Sequence, residues 1–247
     1  MDKNIVVLEY QNSFSDNLSN IAYASILEEK FNVKCVYENT TSKRDRLENM
    51  MKDLDMTCSY ISKARVDEIK SKSLYMDYRD INSNKKINKN ILNIPYFKIE
   101  DIDKINEKIK KQFSFNNTNF IINYDILEDI SNNNSIGLYL DEDEADLNYI
   151  HNAIYRLNKY LKHPKLYIFS KKEFEIEEIV PYTFLNLNDY REEFYFLQKC
   201  KNKIIYCSKK SYSTGFWASV LSDFKGYTIY NKNKFPNTRY NKWIGIN

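Results

Sequence analysis

The chain has 247 residues, of which 43% are hydrophobic and 29% charged, a balance that fits one large or two small folded domains and argues against disorder. Its four glycines, Gly137, Gly215, Gly226 and Gly245, leave no place for a G-x-G-x-x-G or P-loop sequence, so a glycine-rich dinucleotide or P-loop nucleotide enzyme is not expected. The net charge of +3 is too small, and its lysines too evenly mixed with acidic residues, to imply nucleic acid as a partner.

Ile5 to Leu8 forms a short β-branched run that reads as a buried first strand. A helix over 16–31 follows, capped by Asp16 or Asn17, with Leu18, Ile21, Ala22 and Leu27 on one side. Val33 to Tyr37 reads as the next strand, which completes a β-α-β unit and points to a parallel sheet. The middle is less regular, with a charged helix at 43–54, a polar stretch at 70–95 and an amphipathic helix at 101–113 through Ile102, Ile105, Ile109 and Phe113. The polar run Ser131 to Ser135 is the candidate boundary, giving domains 1–130 and 131–247. Beyond it come strand 136–140, helix 144–162, strand 166–169, a short charged helix, strand 183–187, helix 190–200, strand 203–207, helix 213–223 and strand 227–230. Strands regularly separated by helices predict an α/β protein built of two Rossmann-like domains.

Three blocks and a closing motif fall in a recognisable order. Ser15-Asp16-Asn17-Leu18-Ser19-Asn20-Ile21-Ala22-Tyr23-Ala24 opens the first helix; Ser135 to Ser170 forms strand, long helix and a strand ending Ile168-Phe169-Ser170. Ser211-Tyr212-Ser213 leads into Phe216-Trp217-Ala218-Ser219-Val220-Leu221, and the chain closes on Trp243-Ile244-Gly245-Ile246. This order resembles the bacterial α-1,2-fucosyltransferases, in shortened and divergent form. There the first loop is G-L-G-N-Q, the second strand ends H-x-R-x-G-D, and the third block reads S-F-S-W-W-G-A-W-L. Here the first-loop glycines are absent, Leu138 stands at the His position and Leu140 at the Arg position, and only Asp143 matches.

The resemblance implies two Rossmann domains facing a cleft, with the C-terminal domain holding a nucleotide-sugar donor and the N-terminal one serving a glycan acceptor. It implies transfer of fucose from GDP-fucose with inversion and without a metal cofactor. It also assigns residues: Asn17, Asn20 and Tyr23 on the acceptor side, and Lys210, Ser211, Tyr212 and Ser213 around the donor. In the family the Arg is expected to neutralise the diphosphate leaving group. Leu140 cannot, and Asp141-Glu142-Asp143 inverts the local charge. Asp141 and Asp143 therefore read as catalytic, either as D-x-D ligands to a divalent metal or as a general base for the acceptor hydroxyl. Another basic residue, Lys209 or Lys210, could take the phosphate role, or the fold could persist as an inactive binding module.

Each candidate also has a plain structural account. Asp141 to Asp146 precede a helix whose dipole favours acidic residues; Ser211 to Ser213 could be ordinary caps; Asn17 and Asn20 could cap the first helix, and Tyr23 and Trp217 could be core. His151 and His163 read as structural. Cys35, Cys58, Cys200 and Cys207 form no C-x-x-C pair and lack His at zinc-ligand spacing, which suits a reducing compartment. With no signal-like start and no apolar run long enough to cross a bilayer, the expected location is the cytoplasm.

Overall fold

The structure is a computed structural model that describes residues 5–8, 10–11, 13–72, 91–92, 107–115, 122–140, 146–173, 176, 179–206, 214–233 and 242–247. The chain divides into two compact units, Met1–Asn117 and Thr118–Asn247.

The first unit runs β1 (Ile5–Leu8), α1 (Phe14–Phe31), β2 (Lys34–Glu38), α2 (Thr41–Met51), β3 (Tyr60–Ile61), α3 (Lys63–Lys72) and β4 (Ile91–Leu92). Its strands are all parallel in the order β3-β2-β1-β4, with Ile5 opposite Lys34 and Val6 opposite both Cys35 and Ile91. The first β-α-β unit is thus as the apolar pattern predicts. Helix α1 begins earlier than expected, because Ser13 rather than Asp16 or Asn17 is the cap. The Ser13 Oγ accepts the Asp16 N–H at 3.1 Å, and Phe14 is already buried as the first helical residue. Asp16 then lies in the first turn, where its charge suits the helix dipole. Helix α2 is likewise shifted upstream of 43–54, and α3 and β4 have no counterpart among the predicted elements, α3 beginning before the polar stretch 70–95 and β4 lying within it. Of the predicted helix 101–113, residues 107–112 are helical and Ile109 and Phe113 are buried as expected; 101–106 lie outside the described residues.

The second unit runs α4 (Tyr124–Asn132), β5 (Asn134–Leu140), α5 (Leu147–Asn158), β6 (Pro164–Ser170), β7 (Tyr182–Leu185), α6 (Tyr190–Lys199), β8 (Asn202–Ile205), α7 (Thr214–Val220), β9 (Thr228–Asn231) and β10 (Trp243–Ile246). All six strands are parallel, in the order β10-β9-β8-β5-β6-β7. Counted within the sheet this is the doubly wound order 3-2-1-4-5-6, with its reversal between β5 and β8. A parallel sheet covered on both faces has apolar strands throughout, and Ile136, Leu138, Ile168, Ile204 and Ile229 are all fully buried. Ile150, Ile154 and Leu157 of α5 pack against them, as their helical spacing predicts.

Several boundaries differ from the sequence reading, each for a local reason. Helix α4 has no counterpart among the predicted elements. Asn123 caps it, Ile130 is buried, and Asp129 pairs with Lys165 of β6 at 2.6 Å. Because α4 belongs with this sheet, the division falls between Asn117 and Thr118 and not at the polar run Ser131 to Ser135. Ser135 itself is fully buried in β5, its Oγ accepting the Lys201 N–H at 3.0 Å. Helix α5 starts after Asp146 rather than at 144. None of the described residues between β6 and β7 is helical, where a short charged helix is expected. Trp243–Ile246, expected only as a closing motif, is a strand paired in parallel with β9. Among the described residues no helix is long and apolar enough to cross a membrane.

Candidate functional site

In open α/β sheets, ligands settle outside the carboxyl ends of the strands at the point where strand order reverses. In the second unit that point lies between β5 and β8, which pair through Ile136 with Asn202 and Leu138 with Ile204. Two tyrosines tie the end of β8 to helix α5. Tyr149, in the first turn of α5, donates its hydroxyl to the Ile205 carbonyl at 2.9 Å. Tyr206, directly after β8, accepts the Asp146 N–H on its hydroxyl at 2.9 Å. Their rings lie 6.0 Å apart. Burial, and then the Asp146 carboxylate, push the Tyr149 phenol well above its ordinary value, so it remains a neutral donor.

Asp146 completes this arrangement as the N-cap of α5, its Oδ1 accepting the Tyr149 N–H at 3.1 Å. The start of a twelve-residue helix is therefore held at the reversal point of the sheet. Its first-turn N–H groups and dipole favour an anionic group there. Sequence reasoning does not find Tyr149 and Tyr206. Tyr206 is noticeable as a polar-ended residue at a strand terminus, but its partner is sixty positions away.

The predicted site residues distribute unevenly. Asp141 and Asp143, which directly follow β5 in the chain, and Lys210, Ser211, Tyr212 and Ser213, which precede α7, lie outside the described residues. The strands before both segments, β5 and β8, are the two that flank the reversal point. Among the described residues no group of three or more His, Cys, Asp or Glu side chains is placed to hold a metal. Trp217 is fully buried, edge-on to Phe216 at 5.5 Å, and belongs to the core.

In the first unit the reversal lies between β1 and β4, and the chain leaves β1 through Tyr10, Gln11 and Ser13 into α1. Asn17 organises this turn. Its Oδ1 accepts the Gln11 N–H at 3.1 Å, and its Nδ2 donates to the carbonyls of Gln11 and Ser13, both at 2.9 Å. At 1% exposure its amide faces the loop backbone, which makes Asn17 a positioning residue in this geometry. Tyr23 is also buried, whereas Asn20 is half-buried. Tyr10 donates its hydroxyl to the Glu38 carbonyl at 2.6 Å and lies 5.0 Å from the Tyr37 ring, so the ends of β1 and β2 are also joined. Burial is the main reason the Tyr10 phenol is pushed up to about 12.

No protein-family model and no curated protein matches the sequence. Among solved structures, the chain is similar to an Arg-to-Lys mutant of Arabidopsis thaliana FUT1 in complex with GDP. The TM-score is 0.52 at 12% identity, over 94% of this chain and 72% of that one. A looser similarity, TM-score 0.36 at 12% identity over 97% and 89% of the two chains, is to the E. coli heptosyltransferase WaaC with ADP. The doubly wound order of the second sheet and the likeness to FUT1 agree: the chain has the two-Rossmann-domain fold of GT-B glycosyltransferases.

Proposed function

We propose that this protein is a glycosyltransferase that moves a sugar from a nucleotide-sugar donor to a hydroxyl of a glycan acceptor, with GDP-fucose as the donor. The observation that carries the reading is the reversal point between β5 and β8, with the N-terminus of α5 fixed there by Tyr149 and Tyr206. A diphosphate would use that helix end, and the candidate segments 141–143 and 210–213 follow the two strands in question. The GDP held by the similarly folded FUT1 supports a guanine nucleotide. In this reading the second unit is the donor side and the first unit the acceptor side.

In the reaction the acceptor oxygen forms a bond to the anomeric carbon, the bond from that carbon to the phosphate oxygen breaks, and the nucleoside diphosphate leaves with the bonding pair. The acceptor proton passes to a base, for which Asp141 or Asp143 is the candidate. Lys210, with the hydroxyls of Ser211, Tyr212 and Ser213, would receive the diphosphate charge in place of the absent arginine. Asn20 and Tyr23 would serve the acceptor, and Asn17 would act through the loop it holds.

Thermal-shift measurements with GDP, UDP and CMP, each with and without Mn²⁺, test this. Stabilisation by GDP without metal is expected, together with release of GDP from GDP-fucose when a glycan acceptor is added. A shift that appears only with Mn²⁺, and is lost in an Asp141→Asn, Asp143→Asn double variant, would replace this reading with a metal-dependent transferase. No response to any nucleotide would leave a glycan- or partner-binding module and end both enzymatic readings.

A further inference from the structure

The amino ends of the second sheet carry a surface unrelated to the donor site. Tyr155 and Tyr160, at the end of α5 and just beyond it, are 54% and 52% exposed, and Phe224, before β9, is 43% exposed. Ring and lysine contacts organise two groups along these ends. Tyr160 stacks on Tyr227 with ring centres 5.1 Å apart, and the Lys242 ammonium sits 5.8 Å from the Tyr227 ring centre. The same ammonium donates to the Lys225 carbonyl at 2.9 Å, beside Phe224, while Lys159 lies 4.3 Å over the Tyr155 ring. The contributing stretches 151–163, 224–230 and 242–247 contain Arg156, Lys159, Lys162, Lys225 and Lys242 and no acidic residue. Asp223, exposed beside Phe224, is the carboxylate that adjoins them in sequence.

We propose that this face docks on the headgroup layer of an anionic lipid bilayer. Tyrosine suits that layer because its ring is apolar and its hydroxyl seeks water. Lysine can lay its stem along apolar surface while its ammonium reaches a phosphate, and anionic membranes attract clustered basic residues. A single-stranded nucleic acid would require free ring faces for its bases. Here Tyr227 is faced by Tyr160 and Lys242, and Tyr155 by Lys159. The docking face lies at the amino ends of the strands, so it leaves their carboxyl ends clear, and it stands whether or not the enzymatic reading holds.

Co-sedimentation of the full chain with vesicles decides the matter. Vesicles containing about one-third phosphatidylglycerol should bind at least about tenfold more protein than pure phosphatidylcholine, and high salt should release it. A Lys159→Glu, Lys225→Glu, Lys242→Glu variant should lose that preference, and Tyr155→Ser with Tyr160→Ser should weaken binding without removing its salt dependence. Equal binding to both vesicle types, no binding, or full binding by a triple variant with wild-type Tm would overturn the proposal. So would retention by single-stranded RNA but not by vesicles. If the triple variant fails to fold, the wild type must still come off anionic vesicles in high salt, and binding that salt does not weaken would sink the idea.

Discussion

Asn17 shows how a side chain that sequence reading assigns to ligand binding can act on the backbone. Removing its amide takes away the side-chain partner of the Gln11 N–H and carbonyl in a nearly solvent-free position, while the Ser13 carbonyl keeps the Asn17 backbone N–H at 3.2 Å. Asn17→Ala should therefore lower stability by about 1–3 kcal/mol in urea unfolding. Asn17→Asp should be no better, because a carboxylate oxygen would then face two carbonyls. Lys203 is the second residue whose environment the sequence conceals, since it sits in β8 among apolar neighbours and is 2% exposed. Its ammonium donates to the Cys200 carbonyl at 2.6 Å and the Ser222 hydroxyl at 2.9 Å. Burial pulls its pKa down to about 8, against smaller raising effects of Cys200 and Asp223. Below pH 8 both folded and unfolded chains carry the proton and the burial penalty is felt in full. Between pH 8 and 10.5 the unfolded chain binds more protons than the folded one, so this group makes stability rise with pH. The gain across that window, at most about 3 kcal/mol, should be present in the wild type and missing in Lys203→Met when the two are unfolded in parallel at pH 7.5 and 10.

At the level of elements, alternation of apolar runs was legible because a buried parallel strand must be apolar along its whole length. Ile136 to Leu140 and Leu166 to Phe169 announce themselves in this way, and the apolar stripe of α5 is plain in the spacing Ile150, Ile154, Leu157. Ends were less legible, since caps depend on which hydroxyl or carboxylate reaches an N–H. Ser13 and Asp146 win that competition over Asp16 and the acidic residues before Asp146. Helix α4 escaped because only Ile130 of its nine residues is fully buried. The turn before β9 depends on a glycine for lack of space rather than for backbone conformation. A Cβ on Gly226 would meet the Lys201 carbonyl oxygen at 1.9 Å and the Asn202 Oδ1 at 2.8 Å. Asn202 in turn accepts the Tyr227 N–H at 2.9 Å, so there is little room for the turn to retreat. Gly226→Ala should cost at least about 1–3 kcal/mol, read as a lower urea midpoint with an unchanged slope.

Across the whole chain the two units are unequally equipped. Among the described residues the second has a six-stranded sheet and a core reaching from Ile136 to Ile246, whereas the first has four strands, two of them only two residues long. Residues 118–247 expressed alone should fold cooperatively, with dispersed amide resonances and a sigmoidal melt. Residues 1–117 alone should be marginal, because short strands supply little burial against the entropy of ordering them. A fragment 118–247 that stayed unfolded would show that its core needs the first unit. The candidate site was legible only as a class of sheet. Alternating strands and helices predict a parallel sheet, but the strand order that sets the reversal, the pairing of Tyr149 with β8 and that of Tyr206 with α5 depend on contacts that no local pattern announces.

The reversal between β5 and β8 also has a bearing on how the chain is made. A ribosome delivers β5, β6 and β7 in the order in which they pair, so half of the sheet can assemble during synthesis. The other edge of β5, at Ile136 to Leu138, must wait for Asn202 to Ile204 to emerge. For that interval an apolar strand in the centre of the eventual sheet is an open edge, exposed to pairing with another nascent chain. Slowing translation between β5 and β8 should therefore raise aggregation more than slowing it after β9, making this seam the point where yield is decided.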